Sequence, residues 1–314
     1  MPIDARRFLR KMRGGAQAHL LEASDGQFYV VKFRNNPQHP RILINEWIAS
    51  VFLDYLGLAS PQAALVRVTE PFLLANPEVH FQLGSGRKPV EPGLHFGSQF
   101  PGDPARTAVY DFLPDTLLSQ VENLPDFRGA LAFDKWMGNA DARQSIFFRA
   151  RLREFAPPPD LATKRLGFAA QAPAASTKRL GFVAQAPAAS TKRLGFVAQM
   201  MDNGFVFEGP HWRLTEAPLM GLYFRPLVYR SVQGLADFEP WLSRIRHFPE
   251  EVVDQAVKQI PENWYHRPEG GKSEDERDAL LRLLDQLLRR RGRVADSIAA
   301  ARNARPEHFP DWRS

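Results

Sequence analysis

The stretch from Ile42 to Leu56 most limits what this chain can fold into. It sets Trp47, Val51 and Tyr55 at helical spacing with Ile48 and Phe52 beside them, and Gly57 follows where a left-handed cap would end a helix. Ahead of it, Ala18 to Glu22 and Gln27 to Arg34 are apolar-rich runs split by Ser24-Asp25-Gly26, the residues of a hairpin turn. Gly14-Gly15 reads as the opening of the first strand, and Ala63 to Val68 as a further strand. Strand, strand, helix, strand is a mixed opening.

From Pro77 to Ala105 the residues are rich in Gly and Pro, which predicts loop with at most a short strand. Phe112 to Pro114 reads as a crossing, and the pattern beyond it turns helical: Leu117 to Met137, Phe238 to Ile245, Glu250 to Ile260, and one long helix from Glu274 to Arg302 with Leu280, Leu284, Leu287 and Leu288 on one stripe. The expectation is an α+β, two-lobed chain, with a β-rich N-lobe over 1–112 and a mainly helical C-lobe over 113–314. An apolar content of 44% can supply a core for both.

One segment departs from this plan. Thr163 to Ser176 (TKRLGFAAQAPAAS) recurs as Thr177 to Ser190 and, truncated, from Thr191 to Gln199. A period of 14 residues in so few copies buries too little to make a repeat fold, so residues 163–190 read as a tandem-repeat insertion. Leu194 to Met201 then forms the strand leading to Asp202. Because each copy offers nearly the same LGFVAQ, disorder or competing registers are expected there.

Several function classes fall away on composition. There are no cysteines, which removes disulfides, zinc thiolate sites and thiol nucleophiles. The eight histidines show no HExxH spacing, and no GxSxG elbow, Walker loop or strand-following GxGxxG is present. No run approaches the ~20 apolar residues of a membrane span, and the basic start lacks the apolar core of a secretion signal, so a cytoplasmic protein without membrane contact is expected. Lys and Arg outnumber Asp and Glu by 41 to 35, a charge of +6 that suits phosphate-bearing ligands. The Arg289 to Arg293 cluster has no aromatic platform, so nucleic acid is not an expected partner.

Four ionisable residues remain that together carry chemistry. Lys32 sits in QFYVVKF on the same face as Phe28 and Val30, where a strand lysine can clamp phosphates below an apolar pocket. Glu46 near the start of the following helix can fix its ammonium. In FDKWMGNADARQSIFF, Asp141 falls at a helix-to-strand loop, placed to accept the proton of a substrate hydroxyl, while Arg143 or Gln144 could contact phosphate or metal oxygen. Asp202 closes the strand FVAQMM ahead of Asn203-Gly204, where magnesium could be held against phosphates.

With these motifs in order, NEWIASVFLDYLGL after a strand lysine, then GNADARQ, then DNG, the chain resembles the HipA-like kinases, relatives of the protein-kinase and phosphatidylinositol-kinase fold, from about residue 12 to 265 apart from the repeats. The resemblance implies an ATP- and magnesium-dependent phosphotransferase acting on a hydroxyl acceptor, a protein Ser or Thr. By it Lys32 and Glu46 form the ion pair, Asp141 is the catalytic base and Asp202 binds magnesium. Two departures stand out. Ile146 occupies the position where the family usually has Asn, leaving Gln144 as the nearest amide for a second metal ligand, and Gly14-Gly15-Ala16 is all that could cover the phosphates with backbone N–H groups. A pseudokinase that binds nucleotide or a partner without transfer is the alternative these departures raise.

Overall fold

In chain order the structure, a computed structural model that describes residues 1–151, 194–265 and 273–313, opens with β1 (Ile3–Lys11), β2 (His19–Ala23), β3 (Phe28–Lys32), α1 (Arg41–Leu56), β4 (Ala63–Val68), α2 (Glu70–Ala75), β5 (His80–Leu83), β6 (Gly86–Pro89) and β7 (Gly93–Gln99). Five of these strands close into a barrel in the order β1-β2-β3-β7-β4, with β1 and β4 parallel and the other pairs antiparallel. Closure leaves no free edge. The barrel interior is filled by Leu21, Val31, Phe33, Val66 and Phe81, all without solvent exposure.

The remainder is β8 (Val109–Tyr110), α3 (Asp115–Leu118), α4 (Asp126–Met137), β9 (Gln144–Arg151), β10 (Leu194–Met201), α5 (Trp241–Arg246), α6 (Glu250–Lys258), α7 (Ser273–Arg289) and α8 (Val294–Ala304). Strands β8, β9 and β10 form a small antiparallel sheet, on whose Phe147 the α4 residue Phe127 stacks at 6.4 Å. α1 joins the two parts. It is buried on nearly every side, as a helix without a single apolar stripe must be, and its Phe52 stacks on Trp136 of α4 at 5.5 Å. Gly57 caps it at φ 74°, as its position after Leu56 predicts.

α1, β4 and β10 form where the pattern places them, and the last repeat copy supplies β10. The insertion over 163–190 and the register competition expected there lie outside the described residues. Other expectations need correction. Gly14-Gly15 does not open the first strand, which is β1 from Ile3; the glycines form the β1–β2 turn, with Gly14 at φ 117°. Bulges between Ala5 and Arg7 and between Phe8 and Arg10 break the alternation that would have marked β1.

The 77–105 stretch is not loop but holds β5, β6 and β7, preceded by the unexpected α2, whose Thr69 cap accepts the Phe72 N–H at 3.3 Å. The helix expected over Leu117 to Met137 is broken ahead of α4, because Asn123 pairs with both backbone groups of Ala198 in β10, at 2.9 and 2.8 Å. The long C-terminal helix is likewise two, since Arg290 turns inward to donate to the Leu214 carbonyl at 3.0 Å. Among the described residues no helix is long and apolar enough to cross a membrane.

Candidate active site

Lys32 is the last residue of β3, held in register opposite Phe96 of β7. Its ammonium donates to the Glu46 carboxylate and, at 2.7 Å, to Asp202 Oδ1. The Lys32 and Glu46 side chains are 13% and 4% exposed, and that of Asp202 is 35% exposed, so the cluster is open only on the Asp202 side. Burial alone would push the Lys32 ammonium down, but Glu46 and then Asp202 outweigh it and hold it charged above the usual lysine value. The Lys32 charge in turn holds the Asp202 carboxyl below its usual range against burial, with Arg143 adding to the effect.

Asp202 reaches Lys32 because the chain turns hard at the end of β10. It takes left-handed φ of 57°, and Gly204 then passes so close to α1 that a Cβ there would sit 2.7 Å from Ile42 Cγ2. This close approach, rather than a hairpin, is the use of Asp202-Asn203-Gly204. Asn45, fully buried beside Glu46, fastens the segment by donating to the carbonyls of Gly204, Val206 and Gly209 at 2.8, 3.1 and 3.0 Å, and accepts the Trp212 indole N–H at 2.9 Å. One turn of α1 thus sets both Glu46 and the backbone that carries Asp202.

Asp141 stands on the loop between α4 and β9. Gly138 ends α4 at φ 61°, and Asn139 folds back with its N–H on the Asp134 carbonyl at 3.0 Å and its amide on Asp134 Oδ1 at 2.9 Å. Asp141 Oδ1 accepts the Ala142 N–H at 2.8 Å, and Oδ2 accepts from Gln144 Nε2 at 3.1 Å. Since Gln144 pairs with Met201 at the β9–β10 end, Asp141, Gln144 and Asp202 gather at one end of that hairpin. Ile146 lies further along β9, opposite Gln199.

Arg143 is not available for phosphate. It is buried and forked onto Asp134, with Nε on Oδ2 at 2.7 Å, and its Nη1 donates to Met201 O at 3.1 Å and Asn203 Oδ1 at 2.9 Å. It therefore ties the Asp141 loop to the Asp202 segment. Space around Gly14 is open, and the neighbour of Gly15 is Gln38 in the β3–α1 connection. No group of three or more His, Asp or Glu able to hold a metal occurs among the described residues. One or two protein oxygens, from Asp202 and Gln144, fit a hard cation shared with phosphate oxygens.

Asn45 and Asp134 have no place in the sequence reading, and Asn203-Gly204 enters it only as the pair that follows Asp202. The available signal was a polar residue inside an apolar helical run, Asn45 in ILINEWI and Asp134 in LAFDKW, where exposure to water is not on offer.

Residues 6–147 match the family model of the HipA-like kinases. The HipA-like segment holds the barrel, α1 and the Asp141 loop, a shorter span than the resemblance read from the motifs, and it ends before Asp202. Among solved structures, a crystal structure of the Golgi casein kinase is similar with a TM-score of 0.47 and 10% identity, covering 96% of this chain and 75% of that one. A crystal structure of the Golgi casein kinase with Mn/ADP bound is similar with a TM-score of 0.43 and 9% identity, covering 97% and 73%. No curated protein matches the chain.

Proposed function

We propose that this chain is a HipA-like kinase, an ATP- and magnesium-dependent phosphotransferase that moves the γ-phosphoryl group to a protein Ser or Thr hydroxyl. In this reading the barrel side, 1–112, is the nucleotide lobe and 113–314 the catalytic lobe. The observation that carries it is the Lys32 ammonium spanning Glu46 and Asp202, with Asp141 and Gln144 at the same end of the β9–β10 hairpin. Lys32 would hold the α and β phosphates while Glu46 keeps its ammonium in place. Asp202, with the Gln144 amide oxygen, would hold magnesium, which when bound draws charge from the β and γ phosphates. Asp141 aims the acceptor hydroxyl and takes its proton as the acceptor oxygen bonds to the γ phosphorus and the bond to the ADP oxygen breaks. Gly14 and Gly15 would supply backbone N–H groups only if their turn leaves Gln38.

The test is transfer of label from γ-labelled ATP to generic protein acceptors. Asp141→Asn and Asp202→Ala should each lower the rate by about 10²-fold or more while leaving the melting temperature within a few degrees. Full transfer in both variants would sink the assignment. A second reading, a pseudokinase, is favoured by one feature, Ile146 in place of an amide on β9. It requires a nucleotide-dependent thermal shift with no transfer in the unaltered protein.

A further inference from the structure

A cavity of about 170 Å³ lies between the end of α4, residues 215–220 and α8, next to Gly138, where the Asp141 loop begins. Ala217, Pro218, Met220 and Ala300 make much of its wall apolar, and Lys135, from the last turn of α4, gives it a buried ammonium. Lys135 is 5% exposed and donates to the Ala217 and Pro218 carbonyls at 3.1 and 2.7 Å, both residues of the same wall. An ammonium has three hydrogens. Among the described residues the third finds no protein acceptor, and no carboxylate stands within ion-pair distance of the nitrogen.

The other polar side chains of the wall are spent. Asp134 is forked by Arg143, and Glu216 is shared between Arg290 at 3.3 Å and Arg293 at 3.6 Å. Thr215 Oγ1 donates to Glu208 and Ser297 Oγ to the Arg293 carbonyl, at 3.0 and 3.2 Å. Lys135 is therefore the charge of this wall that lacks an opposite partner among the described residues. Burial pushes its ammonium down to about 8, and the Asp134 charge offsets only part of the shift. A desolvated charge without a counter-ion is costly to the fold, and a ligand that supplies an anionic acceptor removes that cost.

Size and lining narrow the class. At the ~30 Å³ that one water occupies in the liquid, the cavity has room for about six non-hydrogen atoms. One ammonium balances one negative charge, and a dianion would leave its second charge facing Asp134 and Glu216. No described aromatic residue lines the wall, so a ring has no platform to stack on, whereas Pro218, Met220 and Ala300 suit a short hydrocarbon tail.

We propose that this cavity binds a small aliphatic monocarboxylate, about the size of butyrate, whose carboxylate accepts the third Lys135 hydrogen while its tail lies against Pro218, Met220 and Ala300. None of the lining residues belongs to the Lys32 cluster, and binding here does not depend on the function proposed above.

The test is calorimetric titration of the full chain, near neutral pH and at constant ionic strength. The probes are butyrate, butyramide, which has the same shape and no charge, and inorganic phosphate. Butyrate should bind at least about tenfold more tightly than either of the others. Lys135→Met keeps the apolar stem and should weaken butyrate about tenfold or more, erasing its advantage over butyramide. Ala300→Phe, from an exposed position on α8, fills the space with the ammonium still in place and should abolish butyrate binding. That variant decides the matter if Lys135→Met fails to fold. Lys258→Met, the same exchange at an exposed lysine on α6 outside the wall, should change nothing.

Equal binding of butyrate and butyramide, undiminished butyrate binding in either wall variant, or an equal loss in Lys258→Met overturns the proposal. No binding of butyrate to the unaltered chain does the same. Phosphate bound as tightly as butyrate, and lost in Lys135→Met, reassigns the cavity to anions in general and overturns the carboxylate class.

Discussion

Replacing Arg143 by Met tests whether one buried ion pair holds the two halves of the candidate site in place. Arg143 is 2% exposed and Asp134 fully buried, and the guanidinium makes four hydrogen bonds, two to Asp134, one to the Met201 carbonyl and one to Asn203. Without it, Asp134 stays charged in the interior with the Asn139 amide as its remaining side-chain partner. Removing one member of a buried pair costs about 3–5 kcal/mol, because the desolvated charge left behind has nothing to offset it. At this chain length that is roughly 5–8 °C in melting temperature. Urea unfolding with an unchanged m-value gives the free energy directly. Adding Asp134→Asn removes the orphan charge while keeping its shape, so the double variant should recover part of the loss. A cost below about 1 kcal/mol for Arg143→Met, or a double variant less stable than the single one, would refute the reasoning.

Three further outcomes follow from the same geometry. His95 accepts the Arg34 N–H on Nδ1 at 3.0 Å and faces the Glu91 carbonyl through Nε2 at 3.0 Å, which suits only the neutral ring; burial, then the Arg34 charge, push its pKa down to about 3 against that carbonyl. The folded value lies below the unfolded one, so this stability is complete above about pH 6.5 and drains away toward pH 3, and His95→Gln should flatten the acid limb of a stability–pH curve; parallel curves would contradict it. His19, held by burial at about 4, adds to the same limb.

Gly204→Ala should cost about 1–3 kcal/mol and slow transfer, since its Cβ meets Ile42 Cγ2 at 2.7 Å, and in that background Ile42→Ala, which removes Cγ2, should cost less than it does alone; unaltered stability would show that α1 yields. Deleting Thr163–Ser190 shortens the connection over residues 152–193 threefold, and loop closure alone predicts a gain of about 1 kcal/mol with transfer intact. Loss of folding after that deletion would show that the upstream copies contribute to the fold.

Local pattern was sufficient wherever a residue's neighbours in sequence are also its neighbours in space. α1 shows its helical spacing and its glycine stop, β4 is a clean apolar run, and β10 follows from the last LGFVAQ leading into Met200. The strands that escaped notice have their logic elsewhere. β1 hides behind Arg6, Arg7 and Arg10 and two bulges, and β5 to β7 lie in a Gly- and Pro-rich stretch in which β7 pairs only with the distant β3 and β4. The same division runs through the candidate site. Lys32, Glu46 and Asp202 were chosen by residue type and context, and they meet. Arg143 was misjudged because its true partners, Asp134 and Asn203, can be known only after α4 and β10 are packed together. Asn45 bonds to groups some 160 positions away, a relation no window on the sequence contains.

The direct contact between Lys32 and Asp202 has a consequence for how ligands would enter. A divalent cation arriving alone meets an ammonium already 2.7 Å from the oxygen it needs, and a polyphosphate arriving alone must draw that ammonium away from two carboxylates. Arriving together, each supplies what the other displaces: phosphate oxygens take the ammonium, and the cation takes the freed carboxylate. The two affinities are then cooperative, and whatever factor one ligand adds to the other's binding constant is returned in equal measure.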